Sequence, residues 1–479
     1  MRETWDTFYI GGQWVAPRSA RTFSLVNPST EDPIGTVPEG TREDIDAAVA
    51  AARRAFDSGE WARLSPAERA DVMDRFLAAI AKRSAELARA VSIQNGMPVA
   101  ISEALEAGFG PGVLQYYAAL ARQLSQRDVR ASQMGKETLV ERSPIGVAAA
   151  IVPWNFPVTL ALNKIAPAMA AGCTMVIKPS PGTVLDSYLL AEAAEEAGVP
   201  PGVLNWVAAD RDAGSYLVSH PGVDKVAFTG STAAGRKIAR TCGELLRPVT
   251  LELGGKSAAI LLDDADLGTF LQGVPMASML NNGQACFNGS RILAPRSRYD
   301  EVVGALAEFT AGMTVGDALD PATHVGPMAS SDHRERVLGY MEIGKREGRI
   351  VSGGGVPAGQ NRGFFVEPTV FADVDSGAKI AQEEIFGPVL TVIGYDGDEE
   401  AIRIANHSDY GLGGSVWSSD SNHALDVARK VASGTVGVNG YMPSLGAPFG
   451  GIKASGLGRE FGPEAIESYQ QTKSIYVMG

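Results

Sequence analysis

From residue 147 the chain switches to short apolar runs that alternate with amphipathic ones. VAAAIVPW, CTMVIKPS, GVLNWVAA, VDKVAFTG and PVTLELGG read as strands, and PVTLALNKIAPAMAAG, TVLDSYLLAEAAEEAG, DAGSYLVSH and STAAGRKIARTCG read as the helices between them. Strands and helices alternating at this spacing predict parallel βαβ units with helices on both faces of one sheet. A second alternation follows residue 286: a helix over YDEVVGALAEFTAGM, a mixed strand-and-turn stretch through GFFVEPTVFADV, then PVLTVIGY, DEEAIRIANHSDYG, GSVWSS, HALDVARKVASG and TVGVNG. It predicts another open sheet, so the fold class is α/β with two open parallel-sheet units. Upstream, helices are expected over 42–56, over 65–96 with a Ser-Pro-x-Glu start and a stop at Gly96, and through AISEALEAGFGPGVLQYYAALARQL; none carries a reactive group, and they read as scaffold. Two stretches with strand-like alternation, 130–146 and the tail SYQQTKSIYVMG, fit neither sheet and are open to two readings, a strand pair added to a neighbouring subunit or a small independent hairpin.

At 479 residues the chain is long enough for two or three domains, and 45% hydrophobic with 20% charged residues is an ordinary globular balance. A net charge of −13 without a basic run argues against a nucleic-acid partner. No apolar run approaches the roughly 18 residues that span a bilayer, and the start lacks a secretory pattern, so a cytoplasmic protein without a membrane partner is the expectation. Three widely spaced cysteines make no disulfide framework, and the five histidines show no metal-ligand spacing.

Ligands of open α/β sheets sit at the carboxyl ends of the strands. The endings PWN, KPS, FTGS and ELGG should therefore meet in one cleft. FTGSTAAGR places Gly230, Ser231 and Gly235 at a strand-to-helix turn suited to a pyrophosphate, though glycines serve such turns for backbone reasons as well. Lys178 could reach ribose or phosphate oxygens across that cleft. Glu252 interrupts an apolar run, where burial would raise its pKa toward that of a general base unless a lysine such as Lys256 satisfies it. Asn155 offers an amide to a developing oxyanion, or serves as a cap. Cys286 lies in NNGQACFNGSR, among turn formers with little apolar surface to pack on, whereas Cys173 and Cys242 sit in apolar or helical settings. Thiol, carboxylate, amide and phosphate-binding turn together suit attack on a carbonyl with hydride leaving to a dinucleotide.

The stretches PWNFP, IKPS, FTGSTAAGR, LELGGK, NNGQACFNGSR, EEIFGPV and PFGGIKASGLGRE, in this order over nearly the whole chain, resemble the aldehyde dehydrogenase superfamily, in its hydrolytic, NAD(P)-dependent branch. The resemblance implies Cys286 as nucleophile, its N–H and Asn155 as the oxyanion site, and Glu252 as the base that activates water to release the acid from a thioester. It implies cofactor contacts from Trp154, Lys178, Ser180, Gly230, Ser231, Gly235, Glu384 and Phe386, and a proton path that includes Glu460. Phe156, Leu160, Leu280 and Phe287, with residues near Tyr441 and Leu445, would line the aldehyde tunnel. The family's fold would give a Rossmann-like dinucleotide-binding domain from 1–125 and 147–254, a catalytic domain over 255–460, and an oligomerisation element from 126–146 and 461–479 that builds dimers or tetramers.

One position departs from the family's pattern. Many NAD-specific members carry Glu three residues after the lysine of KPS, and here that position is Pro181. Loss of the carboxylate removes its repulsion of a 2′-phosphate, yet no arginine near Lys178 would bind one; NAD preferred with NADP possible is the expectation. The mostly apolar tunnel residues favour aliphatic, terpenoid or aromatic aldehydes over charged ones. Glu252 argues against a CoA-acylating relative, which needs no base there. A cysteine hydrolase would need a histidine or lysine base, and no histidine lies in the matching stretches. A non-catalytic binding protein would have no need of the intact thiol, base and amide.

Overall fold

The computed structural model describes residues 2–58 and 60–478. Its first sheet has eight strands in the order Gly456–Leu457, Val249–Glu252, Lys225–Thr229, Val147–Ile151, Thr174–Lys178, Leu204–Trp206, Phe8–Ile10 and Gln13–Val15. The five central strands run parallel, and their registers set Thr229 opposite Glu252 and Ile151 opposite Lys178. The ends expected to share a cleft therefore lie side by side. The edges are antiparallel: the hairpin Phe8–Ile10/Gln13–Val15 on one side, Gly456–Leu457 on the other. Strands of two or three residues leave no periodicity to read, which is why the sequence does not announce them.

A second sheet of seven strands runs Arg349–Ser352, Thr369–Ala372, Val389–Tyr395, Arg291–Pro295, Ala258–Leu261, Gly414–Trp417 and Gly437–Val438, parallel except for its first strand. Its central strands are buried on both faces, as continuous apolar runs such as Arg291–Pro295 require. The stretches left between two readings meet each other within the chain: Gln470–Val477 pairs antiparallel with Glu137–Pro144, which pairs with Arg127–Ala131, in a three-stranded sheet. Val129 and Tyr476 on this sheet are well exposed.

The upstream helices depart from the expected pattern in two places. The stretch 65–96 is two helices, Pro66–Ala81 and Ser84–Asn95, the first opened by the Ser65/Glu68 capping box and the second closed by Gly96 in the left-handed region (φ 78°). No Gly or Pro marks the break at Lys82–Arg83; it is held by Arg83, whose guanidinium donates to the Ala79 carbonyl (3.0 Å) and to Glu196 (2.6 Å). The next helical stretch is not uniform either. A π-helical segment, Ser102–Phe109, is set between Val99–Ile101 and the α-helix Gly110–Ala121.

Candidate active site

The loop that carries Cys286 is wound through three successive left-handed residues, Asn281 (φ 52°), Asn282 (φ 59°) and Gly283 (φ 77°). Asparagine and glycine are the residues that tolerate this conformation, which accounts for the composition of NNGQ. Each side chain is then used. Asn282 donates to the carbonyls of Gly96 (2.8 Å) and Pro327 (3.0 Å) and accepts from Gly326 N–H, while Gln284 accepts from Ala329 N–H (3.0 Å). A Cβ on Gly283 would fall 2.0 Å from the Gly387 carbonyl oxygen, so the loop is locked against the segment that follows EEIF. Cys286 remains partly accessible at the end of this rigid approach. Burial of the thiol, reinforced by the negative charges of Glu384 and Glu252, raises its pKa well above the ordinary value, and its own backbone N–H opposes the rise.

Asn155 is not a helix cap. It precedes the helix Pro157–Ala171, whose cap position is Phe156, and its buried amide donates to the Gln284 carbonyl (2.9 Å), two residues before the thiol. An Asn amide carries two N–H groups, so one is left for a ligand oxygen beside Cys286. The Asn155 carbonyl is held by the amides of Asn281 (2.9 Å) and Asn95 (3.2 Å).

Glu252 ends its strand at 2% exposure, with neither carboxylate oxygen hydrogen-bonded among the described residues. Burial is the largest cause of its strongly raised pKa; the nearby charge of Glu460 adds to it, and Lys164 and Arg459 oppose it. Lys256 does not satisfy it. That lysine is buried elsewhere, its pKa brought down to about 7 by burial and by Arg291. Gly450 makes room for the carboxylate, since a Cβ there would fall 2.5 Å from Glu252 Oε1. Lys164, fully buried, donates to Glu460 Oε1 (2.7 Å) and Thr229 Oγ1 (2.6 Å), and Asn163 donates to Glu460 Oε2 (3.2 Å). Lys164 and Asn163 went unread in the sequence because they sit inside an apolar helix pattern; a lysine between Leu160 and Ile165 was the available signal.

The residues that the resemblance assigns to the dinucleotide sit at the ends of neighbouring strands and in the segment around Glu384. Ser231 caps the helix Thr232–Glu244, its Oγ accepting from Ala234 N–H (3.3 Å). The first-turn N–H groups of a helix have no intrahelical acceptor, and this exposed start meets an anion's needs. Two of the other three helices that leave the central strands are closed by buried side chains from far away in sequence: Glu106 caps Pro157–Ala171, and Gln94 Oε1 accepts from Val184 and Leu185 N–H before Leu185–Glu196; the third, Arg211–Ser219, is capped by Asp210, which accepts from Ala213 N–H (2.9 Å). Gly235 lets the open helix press on Leu253, and Gly230 clears the Phe228 ring; added Cβ atoms would fall 2.4 and 2.5 Å from them. Lys178 is buried, its ammonium held by the Pro179 carbonyl (3.0 Å), and burial brings its pKa down to about 8. Ser180 and Pro181 follow it, half-buried. Glu384 accepts from Gly255 N–H (2.9 Å), and burial pushes its pKa up to about 7. Phe386, at φ 66°, meets Trp154 edge to face at 5.4 Å. Among these sits His333, which no spacing or motif singles out: it bonds the Phe386 carbonyl (2.6 Å), and burial lowers its pKa to about 4, so it is neutral and donates.

Phe156 and Leu280 are buried, and Leu160, Phe287 and Leu445 are half-buried against the same core as Cys286. Phe287 stacks obliquely on Tyr441 (4.9 Å) and faces Phe449 (6.4 Å); Phe449, Phe461 and Phe109 continue edge to face at 5.9 and 6.1 Å. The last three were not foreseen, because they reach Phe287 only through the return of the chain after residue 441.

A partly accessible thiol with a free amide donor on one side and a buried, unpaired carboxylate within electrostatic range defines a site for covalent chemistry at a carbonyl, beside a helix start suited to phosphate. The model of the Aldehyde dehydrogenase family matches residues 14–475. A geranial dehydrogenase of Castellaniella defragrans is 60% identical over 98% of both chains. The crystal structure of Mycobacterium tuberculosis aldehyde dehydrogenase complexed with NAD+ superposes with TM-score 0.97 at 44% identity, covering 100% of this chain and 99% of that one. A mutant of aldehyde dehydrogenase C from Pseudomonas syringae, solved with NAD+ and octanal, gives TM-score 0.95 at 40% identity, with 98% and 96% covered. The chain belongs to the aldehyde dehydrogenase family and is an aldehyde dehydrogenase. No helix among the described residues is long and apolar enough to cross a membrane, and Cys173, Cys242 and Cys286 are free thiols.

The raised pKa of Cys286 sets an expectation for the protein without ligand. Alkylation by iodoacetamide should keep rising through pH 9 without a plateau, because only the thiolate reacts. Glu384→Gln should speed it at fixed pH by removing a charge that opposes ionisation; an early plateau, or no acceleration, would contradict the electrostatics described.

Proposed function

We propose that this enzyme oxidises an apolar aldehyde, terpenoid, aliphatic or aromatic, to its carboxylic acid, with NAD preferred and NADP possible. The observation that carries the reading is Glu252, buried without a partner and within electrostatic reach of the Cys286 thiol. Cys286 attacks the aldehyde carbon, and its N–H and the free Asn155 N–H hold the oxyanion. The chemistry supplied by a bound nicotinamide dinucleotide is acceptance of hydride from that carbon. Ser231 and the turn at Gly230 would hold its pyrophosphate, Lys178 and Ser180 its adenosine end, and Glu384, Phe386 and Trp154 its nicotinamide end. Glu252 then takes a proton from the water that attacks the Cys286 thioester, releasing the acid and the thiol. Glu460, held by Lys164 and within electrostatic range of Glu252, would serve as the next carboxylate on the way of that proton out of the site.

The substrate class rests on the aromatic and aliphatic lining from Phe156, Leu160, Leu280 and Phe287, supported by the likeness to a geranial dehydrogenase and to an enzyme solved with octanal. A base at Glu252 favours water over coenzyme A as acceptor. We assign the first sheet and its helices to cofactor binding, the second sheet to the catalytic loop, and the three-stranded sheet to contacts between copies in a dimer or tetramer. Three free thiols suit a reducing compartment such as the cytoplasm.

A panel of aldehydes assayed for reduced cofactor, with wild type beside two variants, tests the reaction. Cys286→Ala should abolish turnover, and Glu252→Gln should accumulate a thioester; absence of NADH and NADPH formation from every aldehyde would refute the reading, and a kcat/KM favouring a charged aldehyde would overturn the substrate class. Initial rates with each cofactor should favour NAD, whereas a strong preference for NADP would reverse the assignment made at Pro181. The pH profile separates the buried groups. Lys164 lowers the Glu252 pKa and Glu460 raises it. The base form of Glu252 is the active one, so the acidic limb of kcat should move to higher pH in Lys164→Met and to lower pH in Glu460→Gln; shifts of the same sign would remove Glu252 as the base.

A further inference from the structure

The helices between residues 84 and 121 carry none of the residues assigned to the site, yet Asn95 and Glu106 on them grip the segment that presents Asn155. Asn95 donates to the carbonyls of Trp154 (3.0 Å) and Asn155 (3.2 Å). Glu106, fully buried in the π-helical segment Ser102–Phe109, accepts from the N–H groups of Val158 (2.8 Å) and Thr159 (3.4 Å). Thr159 Oγ1 donates to the Leu105 carbonyl (3.1 Å), and Gly110 permits the approach, since a Cβ there would fall 2.9 Å from that hydroxyl.

A helix start is ordinarily closed by a Ser, Thr, Asp or Asn at its own cap position, a local device that needs no buried charge. Here that position is Phe156, which has no capping atom, and the preceding Asn155 spends one N–H on Gln284. The capping function has been moved to a side chain some fifty residues upstream in sequence, at the cost of burying a carboxylate. What the arrangement gains is freedom for positions 155 and 156 to face the thiol and the substrate.

We propose that Glu106, seconded by Asn95, is a positioning residue for the Asn155 amide: by fixing the first turn of Pro157–Ala171 it sets where Asn155 presents its second N–H beside Cys286. The inference rests on the reading of Asn155 as an oxyanion donor. Misplacing such a donor by about 1 Å costs on the order of 10²-fold in rate.

A double-mutant cycle tests it, measured both as aldehyde oxidation and as hydrolysis of an activated aryl ester, which calls on the same thiol and oxyanion site without a dinucleotide. Asn155→Ala should lower kcat by roughly 10²- to 10³-fold. Glu106→Gln, which keeps one acceptor oxygen but places an N–H₂ against the other of the two N–H donors, should lower kcat about tenfold or more in both assays while KM for NAD stays within about twofold. The double variant should be no slower than Asn155→Ala alone. Wild-type kcat in Glu106→Gln, or losses that multiply in the double variant, would overturn the proposal while leaving the oxyanion reading intact. An unimpaired Asn155→Ala would overturn both. Thr159→Val, which removes only the hydroxyl bonded to Leu105, serves if Glu106→Gln does not fold: it should show a smaller loss that Asn155→Ala likewise absorbs, and multiplicative losses there would count equally against the proposal.

Discussion

A carboxylate at the buried end of a strand, with neither oxygen hydrogen-bonded among the described residues, is costly to keep, and much of the surrounding structure follows from tolerating it. Desolvation disfavours the ionised form of Glu252. The fold answers with a cation that does not touch it directly: Lys164, tied to Glu460 and Thr229, offsets the charge while leaving the Glu252 oxygens free. A direct ion pair would stabilise the carboxylate further and pull its pKa back down, which would disarm it as a base. The strand register that sets Thr229 opposite Glu252, and the antiparallel edge that brings Gly456 beside it, place these groups within one small volume.

Of the four helix starts that follow the central strands, two are closed by buried side chains from far away in sequence, one is capped by Asp210 and one, at Ser231, is exposed, and this division orders the site. Closed starts become rigid mounts, for Asn155 in one case and for the segment after Lys178 in the other. The open start, at Ser231, keeps its donors available. What distinguishes the two rigid mounts is a glutamate and a glutamine contributed by the upstream helices.

The α/β alternation was legible because it depends on periodicity carried by every residue of a strand or helix; the central strands and helices of the first sheet fall where the pattern puts them. Cys286, Glu252 and Asn155 were legible because each violates its surroundings, a thiol among asparagines, an acid in an apolar run, an amide at a strand end. Lys164, Asn163 and His333 were not, since their significance lies in partners far away in sequence: Lys164 meets Glu460 only in three dimensions. The helix break at Lys82–Arg83 was hidden for the same reason, being held by Glu196 and marked by no local residue. Glu106 looked like one more polar residue in a scaffold helix, and its burial against Val158 and Thr159 is a fact of packing alone.

Lys164 and Glu460 are 296 residues apart, and the strand Gly456–Leu457 that closes the first sheet is just as late in the chain. At about 5–20 residues per second of synthesis, roughly 15–60 s separate the emergence of the two partners from a ribosome. During that interval the nascent first sheet has an unsealed edge beside Val249–Glu252 and a lysine whose counter-ion does not yet exist. The last strand to be made, Gln470–Val477, completes the small sheet begun at Arg127–Ala131. Under the mechanism proposed above, a prematurely terminated chain would carry Cys286 and Glu252 without the late segment that brings Glu460 and Gly456 beside that carboxylate.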